Sequence, residues 1–475
     1  MRNVAKNFIY QSIFQVMKII IPIITIPIVS KALGPPGVGL YNYTNSIAQY
    51  FVLVASLGVA MYGNREIALA YNRKENISTL FWELFFFKAI FTIAVLVVYL
   101  IVVSFFENRL ILYVQGITIL AVLFDISWFF MGIEDFKKTS ICNLIVQTGT
   151  FLAILFFIKD SSDLLIYTFI QTMGLLLSQS LVWLFTRNYI KIEKISIANI
   201  FSHLKGSIAF FIPEVAILLY TNLNKTVLGI FLGSAAVGYY TNSFTINIIF
   251  TTVITTLDTV LLPHMSSLFA KDNIERIITL MEKTIHIQLF FSIPVMFGML
   301  TVYDKLIPWF FGDQFSFMNY VVPLFSVLIV ISPLGISLAT QYLIPIGQVR
   351  KYNKSVIIGA VINMLGNLIL LPIFGFFGVV FSNILAEFFV TFVRLRSFLK
   401  QTRFQFDIRK IIFYVISGLV MMVVTRSITI NMPASLTTNI IQFFIAVSIY
   451  ISLTSVLKVN PLIVVINGYL QENKF

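Results

Sequence analysis

The sequence predicts an all-α, polytopic membrane protein with about 14 transmembrane helices, and three observations lead to this fold class. Of the 475 residues, 58% are hydrophobic and 11% are charged, whereas soluble domains average about 25% charged residues. The mean hydropathy is +0.93. The apolar residues occur in runs of about 20, the length that crosses a bilayer as a helix, and basic residues concentrate in alternate connections.

Fourteen apolar runs are long enough to cross the hydrocarbon core. They are predicted to be helices, because lipid cannot satisfy the backbone groups of an open strand. The predicted spans are residues 8–31, 41–62, 80–104, 110–132, 140–158, 163–186, 207–231, 239–263, 285–303, 321–346, 355–373, 377–398, 411–429 and 436–457. The first run leads directly into further runs, so no cleavable signal segment is predicted.

The distribution of Lys and Arg predicts the orientation. One alternating set of connections holds 25 of the 33 basic residues, the other holds five, and Lys18, Lys88 and Lys225 lie inside spans. Because basic residues are retained on the cytoplasmic side, both termini are predicted to be cytoplasmic and the chain to lie in the cytoplasmic (inner) membrane. The net charge of +13 follows from this topology. Contact with anionic membrane lipid is expected as a consequence, and no nucleic-acid partner is predicted.

The sequence contains no motif for binding a metal, a cofactor or a nucleotide. Cys142 is the single cysteine, which excludes internal disulfides and cysteine-based zinc clusters. His203, His264 and His286 are too scattered for a metal site. No phosphate-binding loop, dinucleotide fingerprint or nucleophile elbow is present in its required context, so no cofactor, no catalytic residue and no ATP-driven step are predicted.

A nine-residue pattern, L-G-x-x-x-V-G-x-Y, occurs twice, beginning at Leu33 and again at Leu232, an offset of 199 residues. Both copies join an outgoing helix to a returning one on the predicted outer side. The repeat therefore predicts two six-helix halves of the same orientation, residues 1–200 and 201–405. Two extra helices and a cytoplasmic tail follow in residues 406–475. Parallel repeats of this kind are typical of transporters, in which one half moves against the other.

Six segments give the chain a resemblance to a known family over most of its length. They are V-S-K-A-L-G-P-P-G-V-G-L-Y-N-Y (29–43), N-R-E-I-A (64–68), D-I-S-W-F-F-M-G-I-E-D-F-K (125–137), N-L-N-K (222–225), V-G-Y-Y (237–240) and L-L-P-H-M-S (261–266). In this order they resemble the Wzx-type polysaccharide flippases of the MOP exporter superfamily, which transport O-antigen or capsule repeat units. The MATE multidrug exporters and the lipid II flippase are relatives of that family.

The resemblance implies a function. It implies export of undecaprenyl-diphosphate-linked oligosaccharide repeat units from the inner to the outer leaflet by alternating access. Coupling to an ion gradient is expected, since no nucleotide motif is present. A glycan polymerase or other assembly proteins are expected as partners.

Span 1 carries a polar stripe formed by Gln11, Gln15, Lys18, Pro22 and Thr25. Steps of three and four residues place the stripe on one helical face. Lipid would not accommodate this face, so it is predicted to line a wet cavity. Lys18, at mid-span, is predicted to bind a diphosphate or an acidic sugar as a point charge. The alternative is a structural ion pair with a carboxylate on a neighbouring helix.

Span 7 is the repeat partner of span 1. Glu214 and Lys225 are 11 residues apart, about 16 Å along the axis, so they cannot pair within one helix. Lys225, with Asn222 and Asn224 nearby, is the second candidate for phosphate or glycan binding. The alternative for Lys225 is a lysine that reaches outward to the interface.

Spans 2 and 8 carry uncharged polar stripes. Span 2 has Asn42, Asn45, Ser46 and Gln49; span 8 has Asn242, Thr245, Thr252, Thr256 and Thr259. Amide and hydroxyl groups suit the hydroxyls of a sugar, so Asn42, Asn45 and Gln49 are candidate substrate ligands. Hydrogen bonding between helices is the alternative use.

Four carboxylates inside spans are candidates for ion coupling or gating: Asp125, Asp258, Glu214 and Glu387. The two aspartates lie toward the cytoplasmic side and are expected to hold a gate through pairs with basic loops. The two glutamates lie farther from that side, where burial favours proton or sodium coupling. Structural pairing is the alternative for both glutamates. Glu83 and Lys88, near the start of span 3, are expected to pair or to reach the interface.

Three other functions remain as alternatives. A MATE-like, cation-coupled small-molecule exporter shares the fold class, but the lysine of span 1 would repel cationic drugs. A membrane glycan polymerase would need clustered acid and base groups, and the outer carboxylates are scattered over three loops. A passive channel or structural protein does not account for two repeated halves.

Overall fold

In the computed structural model, the chain is built of α-helices joined by short connections. The structure describes residues 2–270, 274–402 and 404–461. Within these ranges the side chains of residues 2–19, 136, 257, 259, 260, 263, 264, 270 and 274 lie outside the description. The described ranges contain no β-strand.

Seventeen α-helices follow one another along the described part of the chain. They are α1 (Arg2–Ser56), α2 (Val59–Asn72), α3 (Ile77–Val103), α4 (Arg109–Phe124), α5 (Ser127–Gly132), α6 (Phe136–Phe157), α7 (Leu164–Val182), α8 (Ile197–Ser202), α9 (Leu204–Leu232), α10 (Ser234–Ala270), α11 (Ile274–Phe311), α12 (Met318–Ser326), α13 (Leu328–Ser337), α14 (Val349–Phe374), α15 (Phe376–Gln401), α16 (Ile408–Thr429) and α17 (Leu436–Val456). A single π-helical stretch, Leu338–Leu343, follows α13.

Twelve helical stretches of the described residues are long and apolar enough to cross a membrane. One of them, Ile20–Asn72, has 53 residues, more than twice the roughly 20 that one crossing needs. It contains predicted span 2 and the second part of predicted span 1. Predicted span 8 lies in α10, a further helix of 37 residues. The architecture confirms the predicted class of an all-α, polytopic membrane protein.

The two copies of the repeated pattern have the same backbone conformation at their first glycine. Gly34 has φ 63° and ψ 179°, and Gly233 has φ 82° and ψ 176°. This region is essentially restricted to glycine because a Cβ atom would clash there. Each glycine breaks the helical backbone conformation, at a kink inside α1 for Gly34 and between α9 and α10 for Gly233, so the pattern encodes one hairpin twice.

The two hairpins also pack against each other, and the contact is symmetric. A Cβ atom at Gly39 would lie 1.6 Å from the Ser234 carbonyl oxygen, and one at Gly238 would lie 2.2 Å from the Pro35 carbonyl oxygen. Gly39 and Gly238 are equivalent positions of the repeat, and so are Pro35 and Ser234. The second glycine of each copy is therefore required by the close approach of the other copy.

The chain divides into two compact units after Gly238. The first contains α1–α9, and the second contains most of α10 together with α11–α17. Helix α9, which corresponds to span 7, packs on α1 and α2. The predicted segments 1–200, 201–405 and 406–475 were defined by the sequence repeat and by membrane orientation, whereas these two units are defined by packing. The three predicted segments therefore stay a prediction.

An aromatic cluster forms the core at one end of the first unit. Trp128 is 1% exposed, and its ring stacks on Phe81 with centroids 5.4 Å apart. Gly63 lets α2 approach this ring, because a Cβ atom there would lie 2.8 Å from Trp128. The cluster holds α2, α3 and α5 together through large apolar contact areas.

Hydrogen bonds attach the connection between α7 and α8 to the start of α3. The Glu193 carboxylate accepts hydrogen bonds from Asn76 at 2.8 Å and 2.9 Å and from Thr79 at 2.6 Å. These donors stabilise the charged form and hold the pKa of Glu193 below its usual range. The Trp82 indole donates to the Lys191 carbonyl oxygen at 3.0 Å.

In the second unit, α16 and α17 pack on α11. Tyr450 of α17 donates from its hydroxyl to the Phe290 carbonyl oxygen of α11 at 3.0 Å. The Phe290 ring also contacts Tyr414 of α16, with centroids 5.5 Å apart. The last two predicted spans therefore contribute to the core of this unit.

Candidate functional site

The predicted ligands of span 1 lie in α1, but their side chains lie outside the described residues. Gln11, Gln15 and Lys18 belong to the helical stretch that begins at Arg2. Pro22 and Pro27 lie inside the same helix, where each removes a backbone donor. The ligand role of the three polar residues stays a prediction.

Lys225 lies half-buried on α9 and forms no hydrogen bond or ion pair with any described residue. Glu214, on the same helix, is also half-buried and has no such partner in the described part of the chain. An ammonium at membrane depth is costly unless a negative charge compensates it. Lys225 therefore has the properties expected of a group that meets an anionic ligand.

The environment of Lys225 is set by the packing of α9 on the second half of α1. The Thr226 hydroxyl lies 2.9 Å from Ser46 Oγ and 3.0 Å from Tyr50 Oη. A Cβ atom at Gly229 would lie 2.0 Å from the Tyr43 ring, so the helices touch closely there. These contacts fix the rotation of α9 and hence the direction available to Lys225.

The amides predicted as sugar ligands divide into two groups. Asn42 donates to the Val38 carbonyl oxygen at 2.8 Å, and Asn45 donates to Gln115 Oε1 of α4 at 3.3 Å. These two amides serve contacts within and between helices. Gln49 and Asn222 are half-buried, and their side chains bond to no described residue.

Among the predicted ligands whose side chains the structure describes, Asn224 is the most buried, at 1% exposed, and it has a polar partner. Although it precedes Lys225 on α9, its low exposure shows that its side chain is packed between helices and does not lie at an open face. Sequence spacing alone did not separate it from Asn222.

Asp125 ends α4, and its side chain accepts a hydrogen bond from the Ser127 backbone at 2.9 Å. Its carbonyl oxygen accepts hydrogen bonds from the Lys88 ammonium and, at 3.1 Å, from the Trp128 indole. Lys88 is 2% exposed. In the described structure the residue therefore organises the break between α4 and α5, and no loop cation pairs with its carboxylate.

The expected pair between Glu83 and Lys88 does not form. The two residues are five positions apart on α3 and so point to different faces. Glu83 instead accepts a hydrogen bond from Asn199 at 2.9 Å and lies 3.3 Å from His203 Nε2. Tyr62 Oη lies 3.0 Å from His203 Nδ1, which completes a buried polar network that joins α2, α3 and the region of α8. His203 is 141 positions from Tyr62 and 120 positions from Glu83 in the sequence. No local sequence pattern predicted this network.

Asp258 is the centre of a buried polar network in the second unit. It is 0% exposed. Its Oδ1 accepts hydrogen bonds from the side-chain amides of Gln288, at 2.9 Å, and Gln341. Its Oδ2 lies 2.8 Å from Ser337 Oγ. The partners come from α11, α13 and the π-helical stretch. Within the described residues these partners are neutral, whereas pairing with basic loops was expected.

The geometry around Ser337 bears on the protonation of this network. Its hydroxyl has one hydrogen, but its Oγ lies within hydrogen-bond distance of three acceptors: Asp258 Oδ2, Gln288 Oε1 at 2.6 Å and the Pro333 carbonyl oxygen at 3.0 Å. A proton on Asp258 Oδ2 would reduce this competition from three acceptors to two. It would be donated to Ser337 Oγ, which would donate its own hydrogen to Gln288.

The remaining carboxylate candidate, Glu387, is half-buried on α15 and has a polar contact. The described residues contain no group of three or more His, Cys, Asp or Glu side chains that could hold a metal ion.

The chain is similar in sequence to a known protein family and to two curated proteins. The model of the family described as "Polysaccharide biosynthesis protein" matches residues 4–269. A putative O-antigen transporter of Escherichia coli (strain K12) is 23% identical over 363 residues, which cover 74% of this chain and 85% of the relative. A probable low-salt glycan biosynthesis flippase, Agl15, of Haloferax volcanii is 22% identical over 228 residues, 47% of each chain.

Solved structures share the fold at low identity. The lipid II flippase MurJ in an inward closed conformation has a TM-score of 0.77 at 13% identity, covering 95% of this chain and 98% of that one. A MATE transporter has a TM-score of 0.50 at 13% identity and covers 80% of this chain.

The helices and the repeated hairpin thus define a multi-pass membrane protein that shares its fold with the lipid II flippase MurJ. The chain belongs to the polysaccharide biosynthesis protein family. The resemblance to Wzx-type flippases drawn from the sequence is confirmed.

Proposed function

We propose that this chain is a transporter, not an enzyme, that flips undecaprenyl-diphosphate-linked oligosaccharide repeat units. It carries them from the inner to the outer leaflet of the cytoplasmic membrane by alternating access. Membership of the polysaccharide family and the names of the relatives support the substrate class. A glycan polymerase or other assembly proteins would receive the product.

The observation that carries the proposal is Lys225. It is a half-buried ammonium on a membrane-spanning helix and lacks any described carboxylate partner. A diphosphate would compensate its charge in a charge-assisted contact. Gln49 and Asn222, whose side chains are also unbonded to described residues, would donate to sugar hydroxyls. Lys18 on α1 would provide the second cation.

We assign the coupling of transport to a proton rather than to sodium, with Asp258 as the coupling group. A proton on its carboxyl would reduce the number of acceptors that compete for the single hydrogen of Ser337. The amide groups at Oδ1 donate hydrogen bonds, so they present hydrogens where a metal cation needs oxygen ligands. A carboxyl that binds a proton in one state and releases it in the other biases the cycle through its differential affinity.

The direct test is flipping in proteoliposomes. The purified chain is reconstituted with an undecaprenyl-diphosphate oligosaccharide that carries a fluorescent sugar, and a membrane-impermeant glycosidase reports the sugar outside. We expect enzyme-accessible label to increase faster than in protein-free vesicles, and faster still under a pH gradient.

The same vesicles test the alternative of a MATE-like exporter. A gradient-dependent export of a cationic dye, without any flipping of the lipid-linked sugar, would overturn the proposal and favour that alternative. Lack of both activities in folded protein would contradict both assignments.

A further inference from the structure

A cavity of ≈ 480 Å³ lies in the second unit, between the beginning of α14 and the end of α15. Five basic side chains line it: Lys351, Lys354, Arg394, Arg396 and Lys400. No carboxylate is among the lining residues. The cavity therefore concentrates positive charge.

One of the five cations is fixed by the protein. Arg394 is 7% exposed. Its Nε donates to Ser355 Oγ at 2.9 Å, and its Nη1 donates to the Gly335 carbonyl oxygen at 2.9 Å. Its guanidinium lies 5.1 Å from the centre of the Tyr352 ring. These contacts hold the Arg394 side chain in place at the wall of the cavity.

The other four cations are exposed. None of Lys351, Lys354, Arg396 and Lys400 forms an ion pair with a carboxylate of the described chain. Like charges this close repel, and the repulsion increases as water is excluded. Ser397 Oγ, from another lining residue, is buried without a hydrogen-bond partner in the described structure. An anion with several acceptor oxygens would satisfy both features.

The apolar lining indicates what the anion is attached to. Ile358 lies one helical turn beyond Lys354, and Phe392 precedes Lys400 by eight residues, about 12 Å deeper along α15. Phe392 is 45% exposed. The cavity is thus cationic toward the helix ends and apolar toward the middle of the spans, so it matches a charged headgroup with hydrocarbon chains.

We propose that this cavity binds the phosphate headgroup of an anionic membrane phospholipid, which lies with its acyl chains along Ile358 and Phe392. Basic pockets between spans at the cytoplasmic side suit such headgroups, and this is the side predicted for these helix ends. The site is independent of the proposed translocation function, because none of its lining residues is a proposed substrate ligand or coupling group. They belong to α14, α15 and, for Leu343, to the π-helical stretch.

The test is lipid binding to the purified full chain, measured by native mass spectrometry. Phosphatidylglycerol is titrated against wild type and against the cavity variant Lys351→Gln/Arg396→Gln/Lys400→Gln. The matched control is Lys283→Gln/Arg350→Gln/Arg409→Gln. It removes three exposed cations of the same unit that do not line the cavity. Thermal unfolding of all three proteins verifies that they are folded.

We expect binding of phosphatidylglycerol to weaken about tenfold or more in the cavity variant and to stay near wild type in the control. The charge-conserving variant Lys351→Arg/Lys400→Arg should retain binding. Phosphatidylethanolamine should bind weakly and equally to all.

Competitors distinguish the sources of phosphate. Inorganic phosphate should not displace the phospholipid, since it lacks the apolar part. Equal losses in cavity and control variants would overturn the site, and so would full binding in the cavity variant. Preferential displacement by undecaprenyl diphosphate would assign the cavity to the carrier lipid and overturn the phospholipid proposal.

Discussion

At the scale of single residues, charge inside the membrane separates functional from structural side chains. Lys88 and Lys225 both lie inside spans, but Lys88 donates to the Asp125 carbonyl oxygen, whereas Lys225 has no described partner. The contact with Asp125 accounts for the burial of the Lys88 ammonium. No such contact accounts for the burial of Lys225, so we propose that Lys225 contacts the substrate.

Lys225→Ala is predicted to weaken binding of the lipid-linked diphosphate by about 10- to 100-fold, the value of one hydrogen bond to a charged group. Lys225→Arg should retain part of the affinity, because the charge remains but its shape changes. Equilibrium binding of the labelled substrate to purified protein measures this. Lys31→Ala, which removes an exposed lysine of the same unit, is the control. Wild-type affinity in Lys225→Ala would refute the contact.

Asp258→Asn is predicted to preserve folding and substrate binding but to abolish stimulation of flipping by a pH gradient. An asparagine can accept from Gln288 and Gln341 and donate to Ser337, so it reproduces the protonated network without a titratable proton. Proteoliposomes with an imposed gradient measure the effect. Asp304→Asn removes the carboxylate that pairs with Arg426 at 3.1 Å and should keep the stimulation.

The same assay tests Glu214→Gln and Glu387→Gln, because the sequence predicts both glutamates as candidate coupling groups. We expect each to respond to the gradient as wild type does. If the gradient response survives in Asp258→Asn and disappears in a glutamate variant, the coupling group is that glutamate.

At the scale of helices and hairpins, the repeated pattern is a packing device as well as a turn. Gly39→Ala or Gly238→Ala would place a Cβ atom against a backbone carbonyl of the other hairpin. Because backbone cannot rotate away, we expect a loss of about 1–3 kcal/mol, typical of overpacking, or more. Thermal unfolding of the purified variants measures it.

Gly298→Ala provides the opposite case within α11. No atom lies within 4 Å of a Cβ atom built there, so alanine should stabilise the helix by up to about 1 kcal/mol. A similar loss at Gly298 and Gly39 would show that any alanine in these helices is harmful, and the symmetric contact would lose its support.

At the scale of the whole molecule, the charge distribution predicts the topology. Reporter fusions after residues 70, 200, 275 and 405 should report the cytoplasm, and fusions near residues 36, 236 and 312 should report the outside. The basis is the division of basic residues, 25 against five, between the two sets of connections. A cytoplasmic signal at residue 236 would remove the parallel orientation of the two hairpins.

The sequence by itself determined the class of fold, the family and the hairpin repeat. Long apolar runs have one solution in lipid, because a helix satisfies its own backbone hydrogen bonds. The glycine pattern was legible for a similar reason: the positive φ angles at Gly34 and Gly233 are a local requirement that almost no other residue meets. Both properties depend on residues that are near one another in the chain.

Only the tertiary structure decided which intramembrane polar groups are already engaged. Spacing placed Asn42, Asn45 and Gln49 on one stripe, but Asn45 bonds to a residue 70 positions away, while Gln49 bonds to no described residue. Asp258 finds its partners 30, 79 and 83 positions away. The energy of a polar group in a membrane depends on what faces it across the helix packing, and that information is absent from any local stretch of sequence.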